Sequence, residues 1–260
     1  MASSIVGGLV ESGHPPQRIH AADPFPQSLE KLREVAQVQT FDDNHAAAQG
    51  ADVVILAVKP QVMAEAAQSI ASAVAQSKPV IISIAAGITV EALQARLGAG
   101  TAIVRCMPNT PALLGCGASG LYANSNTSDA QRNHADNILN AVGITRWVEH
   151  ENDLDAITAL SGSGPAYFFL FMEAMIDAGC KLGLDRDVAT DLCLQTGLGA
   201  ARMAIENDID LAELRRRVTS PGGTTERAIA RFEQDGLREI VEAAMGDAAL
   251  RAKEMAREMG

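Results

Sequence analysis

Aromatic residues are scarce: one Trp, two Tyr and six Phe in 260 residues. The core must therefore be Ala, Val, Ile and Leu, which suits α/β and helical packing and leaves little for stacking on nucleic-acid bases. Basic residues are in deficit too. Lys and Arg number 21 against 32 Asp and Glu, a formal net charge of −11, which argues against a nucleic-acid backbone or an anionic membrane as partner. The four cysteines, Cys106, Cys116, Cys180 and Cys193, show no C-x-x-C spacing and no nearby His pair. Neither a disulfide framework nor a metal site is expected, and reduced thiols in a cytoplasmic protein are. No apolar run approaches the ~20 residues that span a bilayer, and the N-terminus lacks the basic start and long apolar stretch of a signal peptide.

What is there is an ordinary globular balance, 47% hydrophobic and 20% charged, in a chain long enough for one or two domains with a real core. The opening MASSIVGGLVESG reads as a helix with no strand in front of it: small and apolar groups recur at i, i+3, i+4 spacing and Gly13 marks its end. Extended and helical stretches then alternate. RIHAA (18–22) and VQTF (38–41) are extended, with the helix SLEKLREVA (28–36) between them. DVVILAV (52–58), PVIISIA (79–85) and AIVRCM (102–107) are apolar runs expected to be strands buried on both faces, separated by helices over 60–76 and 89–97. Such alternation predicts a parallel sheet covered by helices, with ligands at the carboxyl ends of its strands. A helix over 128–143 and the strand-like ITRWVE (144–149) close this half.

After about residue 150 the strands vanish. Residues 164–184, 185–207 and 238–258 read as helices, and the first is apolar on nearly all sides. That predicts an all-helical second domain needing a partner chain.

Five stretches carry chemistry. LAVKP (56–60) ends a buried strand on a proline, which turns the chain out of the ladder. In ISIAAGIT (82–89), Ala85-Ala86-Gly87 offers backbone with almost no side chain, open to a flat ligand or simply a tight turn. RCMPNTPALLGCG (105–117) is a stiff loop bracketing Asn109-Thr110 between prolines. LSGSGPAYFF (160–169) reads as a Gly/Ser turn opening a helix, with Ser163 as N-cap and room for an anion. TSPGGTTERAI (219–229) is the densest. Its Gly–Gly step lets successive N–H groups converge on a small carboxylate, and hydroxyls flank it.

Together DVVILAVKPQ, ISIAAGIT, RCMPNTPALLGCG, ALSGSGPAYFF and TSPGGTTERAI resemble the pyrroline-5-carboxylate reductase family, over essentially the whole chain. SGSGPAY followed by TSPGGTT is the specific pair. The resemblance implies an α/β protein. Residues 1–150 would form a Rossmann-like parallel sheet, its first strand missing, that holds NADPH or NADH. Residues 151–260 would form an all-α dimerisation and substrate domain, interleaved with a second subunit in a homodimer or higher homo-oligomer. It implies that Met1, Ala2, Asn44, Ala57, Val58, Lys59, Pro60, Ala85, Ala86, Gly87 and Asn109 line the cofactor. Ser220, Gly222, Gly223, Thr224 and Thr225 would form the substrate loop, with Glu151 near the substrate.

The implied reaction is hydride transfer to the C=N carbon of 1-pyrroline-5-carboxylate, giving L-proline, the last step of proline biosynthesis. A protonated imine is already electrophilic, so positioning matters more than a strong acid. Thr225 would hydrogen-bond the ring nitrogen and the N–H groups of 222–225, with Ser220, would hold the carboxylate.

In the family a strand and a G-x-G-x-M-A turn come first, and Met1-Ala2 matches only the end of that turn. Without the strand and glycines the first domain is expected to hold its cofactor poorly. Two explanations stand: an internal Met of a longer chain, or a truncated, inactive relative acting only as an oligomerising protein. A reductase of another small imine or hydroxy acid fits TSPGGTT less well. Asp23 either favours NADH over NADPH or is a turn residue before Pro24.

Overall fold

The computed structural model describes residues 1–259. Helix α1 (Ala2–Glu11) opens the chain, followed by β1 (His20–Ala22), α2 (Pro26–Val35), β2 (Gln39–Phe41), α3 (Asn44–Ala48), β3 (Val53–Leu56), α4 (Met63–Ser77), β4 (Val80–Ser83), α5 (Val90–Leu97) and β5 (Ala102–Met107). β6 (Gly117–Ala123), α6 (Asp129–Asn140) and β7 (Gly143–Trp147) complete the alternation. The helix starts follow side-chain chemistry. Asp43 accepts from the Ala46 N–H and Thr89 from the Ala92 N–H, while Ser128 and Gln131 form a reciprocal capping box.

Five strands lie in the order β3-β4-β5-β6-β7; β1 and β2 form a separate parallel pair. Ile81 and Ile103 pack with Met63, Ile70 and Leu93 on one face of the larger sheet. Val80, Ile82, Val104 and Leu121 pack with Ile5 and Leu139 on the other. Helix α1 serves both sheets. Met1, Ile5 and Leu9 belong to the second of these clusters, while Val6 and Val10 pack against Leu32, Ala36 and Val38. The Rossmann-like sheet is thus in two hydrogen-bonded pieces beneath one helix.

Two expectations change. The sheet is mixed, because β6 runs antiparallel to β5. The connection Pro108–Cys116 is shorter than the dozen or so residues a parallel crossover requires. And β3 is not buried on both faces: it lies at the edge of its sheet, where Val53, Val54 and Ile55 are half-buried and only Leu56 is buried.

The remainder is helical: α7 (Asp153–Ile157), a π-helical turn (Thr158–Gly162), α8 (Gly164–Lys181), α9 (Arg186–Glu206), α10 (Leu211–Arg217), α11 (Thr224–Gln234) and α12 (Leu237–Met259). Periodicity does not announce α10, since its Arg215-Arg216-Arg217 run hides any apolar stripe; Asp210 caps it through the Glu213 N–H. Packing divides the chain into one unit of Met1–Ser163 with the chain from Asp247 onward, and a second of Gly164–Gly246. In the second unit, Phe168, Phe169 and Leu170 are 66–68% exposed in the single chain. All four cysteines are free. Among the described residues, no helix is long and apolar enough to cross a membrane.

Candidate functional site

In the first unit Ala57–Pro60, Ala85–Gly87 and Asn109 follow the carboxyl ends of β3, β4 and β5, while Met1 and Ala2 lie at the start of α1 and Asn44 at the start of α3. After Leu56 the chain leaves the sheet through Ala57 and Lys59, both exposed, and half-buried Val58, and Pro60 opens a 3-10 turn. After Ser83, the loop Ala85-Ala86-Gly87 leads into α5. Gly87 has φ +77°, which favours glycine. A Cβ there would stand 3.3 Å from the Met255 backbone, so α12 makes the close approach on that side. The cavity left between this loop, Asp155, Thr158 and Met255 is about 20 Å³, room for one water. Met255 therefore closes this side of the loop to anything larger than a water.

Asn109, buried after β5, uses its amide inside the chain. Its Oδ1 accepts from the Ala118 N–H at 2.9 Å and its Nδ2 donates to the Ser161 carbonyl at 3.0 Å. This ties the end of β5 to β6 and to the π-helical turn. Glu151 is engaged likewise. Its Oε1 accepts from Arg105 Nη1 at 2.8 Å and from the Val90 N–H at 2.7 Å. Beside this pair, burial pushes the Asp155 carboxyl above its ordinary value, against the opposing pull of Arg105 and Lys253. Burial pushes the Cys106 thiol up to about 12, so it stays protonated and unreactive.

The start of α1 is the expected phosphate position. Met1 precedes the helix without a side-chain cap, the first turn carries no acid, and the Ser4 hydroxyl is buried without a partner. That hydroxyl has no accessible surface, which leaves the first-turn N–H groups as the donors an anion would take. Ala2, exposed in that turn, puts no bulk in the way. Asn44 opens α3, its Nδ2 donating to Ser69 Oγ at 3.0 Å. Asp23 accepts from the Phe25 N–H at 2.8 Å across Pro24, the turn geometry of the second alternative.

The GSGP stretch departs from expectation. Ser163 has helical dihedrals and its N–H donates to the Thr158 carbonyl at 2.8 Å. It is not an N-cap, because an N-cap residue takes non-helical dihedrals.

In the second unit the loop before α11 has the expected shape with fewer free donors. Gly222 takes φ +71°. Its N–H donates to Glu226 Oε2 at 2.8 Å, and the Gly223 N–H to the Ser220 carbonyl at 3.0 Å. Of the four N–H groups at 222–225, those two are occupied within the chain. Among the described residues no acceptor meets the N–H groups of Thr224 and Thr225, and α11 has no side-chain cap. Ser220 and Thr224 are exposed and Thr225 is half-buried.

Sequence reasoning missed Arg105, Asp155 and Met255 as neighbours of this edge. Arg105 left a signal, a lone charge in the apolar run AIVRCM, but its partner at 151 has no spacing that announces it.

Known proteins resemble this chain along its whole length. The pyrroline-5-carboxylate reductase dimerisation profile matches residues 151–255, and that of coenzyme F420-dependent NADP oxidoreductases matches residues 1–87. A pyrroline-5-carboxylate reductase of Pseudomonas aeruginosa is 50% identical over 260 residues, 100% of this chain and 95% of that protein. The solved structure of the Coxiella burnetii pyrroline-5-carboxylate reductase has a TM-score of 0.95 at 44% identity, covering 98% of this chain and 94% of the other. That of Plasmodium falciparum pyrroline carboxylate reductase with NADP bound has a TM-score of 0.85 at 29% identity, covering 98% and 94%. The chain carries the dimerisation domain and an NAD(P)-binding domain, and it belongs to the pyrroline-5-carboxylate reductase family of NAD(P)H-dependent oxidoreductases.

Proposed function

We propose that the chain reduces 1-pyrroline-5-carboxylate to L-proline. Identity of 50% to a reductase along the whole chain is the observation that carries this reading. NAD(P)H supplies the hydride when bound. The chain's own part is to hold the substrate. The open N–H groups of Thr224 and Thr225, with the hydroxyls of Ser220 and Thr224, receive the carboxylate, and Gly222 and Gly223 give the loop its turn. The Thr225 hydroxyl hydrogen-bonds the ring nitrogen and orients the C=N bond. No strong acid is required of it, since the protonated imine is already electrophilic.

On the cofactor side, Met1, Ala2 and the first turn of α1 take the phosphates, and Asn44 lies on the adenosine ribose. Ala57, Val58, Lys59, Pro60, Ala85, Ala86 and Gly87 line the rest largely with backbone and small side chains. Asn109 acts by fixing its own loop. Residues 151–260 serve as the dimerisation and substrate domain, and the exposed Phe168-Phe169-Leu170 surface supports a homodimer or larger homo-oligomer in the cytoplasm. Net charge of −11 supports a small-molecule substrate over nucleic acid.

One observation favours a second reading, a chain that assembles without turnover: the division of the sheet between β1–β2 and β3–β7. Initial rates of NADPH and NADH oxidation with pyrroline-5-carboxylate, beside light scattering, separate the two. Substrate-dependent oxidation is expected. A folded, oligomeric chain without it would establish the second reading.

A further inference from the structure

The loop Ala85-Ala86-Gly87 has no side chain long enough to anchor itself. Something outside must hold it, and two residues are placed to do so. Arg105 is the one charged residue of β5, paired in register with Ser83 at the end of β4. Its side chain is 11% exposed and that of Glu151 26% exposed. A single Glu151 oxygen takes both the Arg105 guanidinium, at 2.8 Å, and the Val90 N–H, at 2.7 Å. Val90 is the first residue of α5, three positions beyond Gly87. The carboxylate thus satisfies a helix-start N–H that has no intrahelical partner, where negative charge is favoured. It does so while ion-paired to the strand next to β4.

We infer that Arg105 and Glu151 are a positioning pair that braces the Ala85–Gly87 loop, through the first turn of α5, against the end of β5. The brace sets the backbone that the cofactor meets. Neither residue touches substrate or cofactor, and Glu151 takes a different role from the substrate contact that the resemblance implies. The inference rests on the reading of Ala85–Gly87 as part of the cofactor edge, and its test separates the two.

The full chain and its E151A, E151Q, R105M and A86E variants would be compared by three readouts: NADPH affinity by fluorescence titration, KM for pyrroline-5-carboxylate, and hydrogen exchange of the Val90 amide without ligand. E151A, which removes both contacts, is expected to weaken NADPH binding about tenfold, ~1.4 kcal/mol. It should also speed Val90 exchange at least tenfold and leave KM for the imine within about twofold. E151Q, which keeps an oxygen for both donors, is expected to recover most of the affinity and protection. R105M, which leaves Glu151 on Val90, should weaken NADPH about threefold, and it carries the test if E151A does not fold.

A rise in KM for the imine in E151A with NADPH affinity unchanged would place Glu151 on the substrate and overturn the inference. Weaker NADPH binding in A86E alone would keep the cofactor edge and remove the brace. Unchanged NADPH binding in both A86E and E151A would remove both readings.

Discussion

Asn109 and Glu151, beside the sheet, commit their polar atoms inside the chain, each to two partners. Thr224 and Thr225, at the start of α11, commit neither N–H nor hydroxyl. The difference is physical. A sheet edge that meets a flat cofactor works through close backbone approach, so its polar side chains serve to hold loops still. A loop that recognises a small carboxylate and a ring nitrogen must keep donors free. Substitutions at the edge should therefore cost stability and cofactor affinity, and substitutions at the loop should cost turnover without cost to the fold.

The largest effect is expected at Asn109. N109A leaves the Ala118 N–H and the Ser161 carbonyl without partners in a buried place, each worth ~1–3 kcal/mol. Thermal unfolding should fall by several degrees, and an unchanged midpoint would show that water replaces the amide. Next is Thr225. T225A would remove the hydrogen bond proposed to the charged ring nitrogen, ~1.5–3 kcal/mol, so kcat/KM should drop about ten- to hundredfold at an unchanged unfolding midpoint. Steady-state kinetics beside calorimetry would check both halves.

A third expectation concerns the apolar surface of α8. F169D places a charge on a side chain now 66% exposed in the single chain. Sedimentation should report a smaller species, whereas an unchanged assembly would move the interface elsewhere. The smallest effect is electrostatic. The Asp155 carboxyl is raised by burial, so the folded state disfavours its charged form. Its penalty is absent below the unfolded value of ~3.9 and grows as pH rises through the folded value. D155N should flatten the decline in stability above about pH 4, and parallel pH profiles for the two chains would contradict the assignment.

Much of this was legible in the residues. Apolar β-branched runs located β3, β4 and β5. The Gly–Gly step at 222–223 located the loop before α11. What was not legible depended on distant pairing. The antiparallel turn into β6 follows from a connection too short to cross over, which periodicity does not measure. The edge position of β3 depends on which strands lie beside it. Glu151 carries no sign in sequence that Arg105 and Val90 both reach it, and nothing near Gly87 in sequence announces that Met255 packs against it. In GSGP, the π-helical turn runs up to Ser163 and gives it helical dihedrals, so the N-cap that Ser-Gly-Pro otherwise announces does not form.

The contrast between a braced edge and an open loop is tested most directly by measuring kcat/KM and the unfolding midpoint of T225A and N109A together. T225A losing turnover at constant stability, with N109A losing stability, is the predicted result. A T225A chain that keeps its kcat/KM for pyrroline-5-carboxylate would contradict the account.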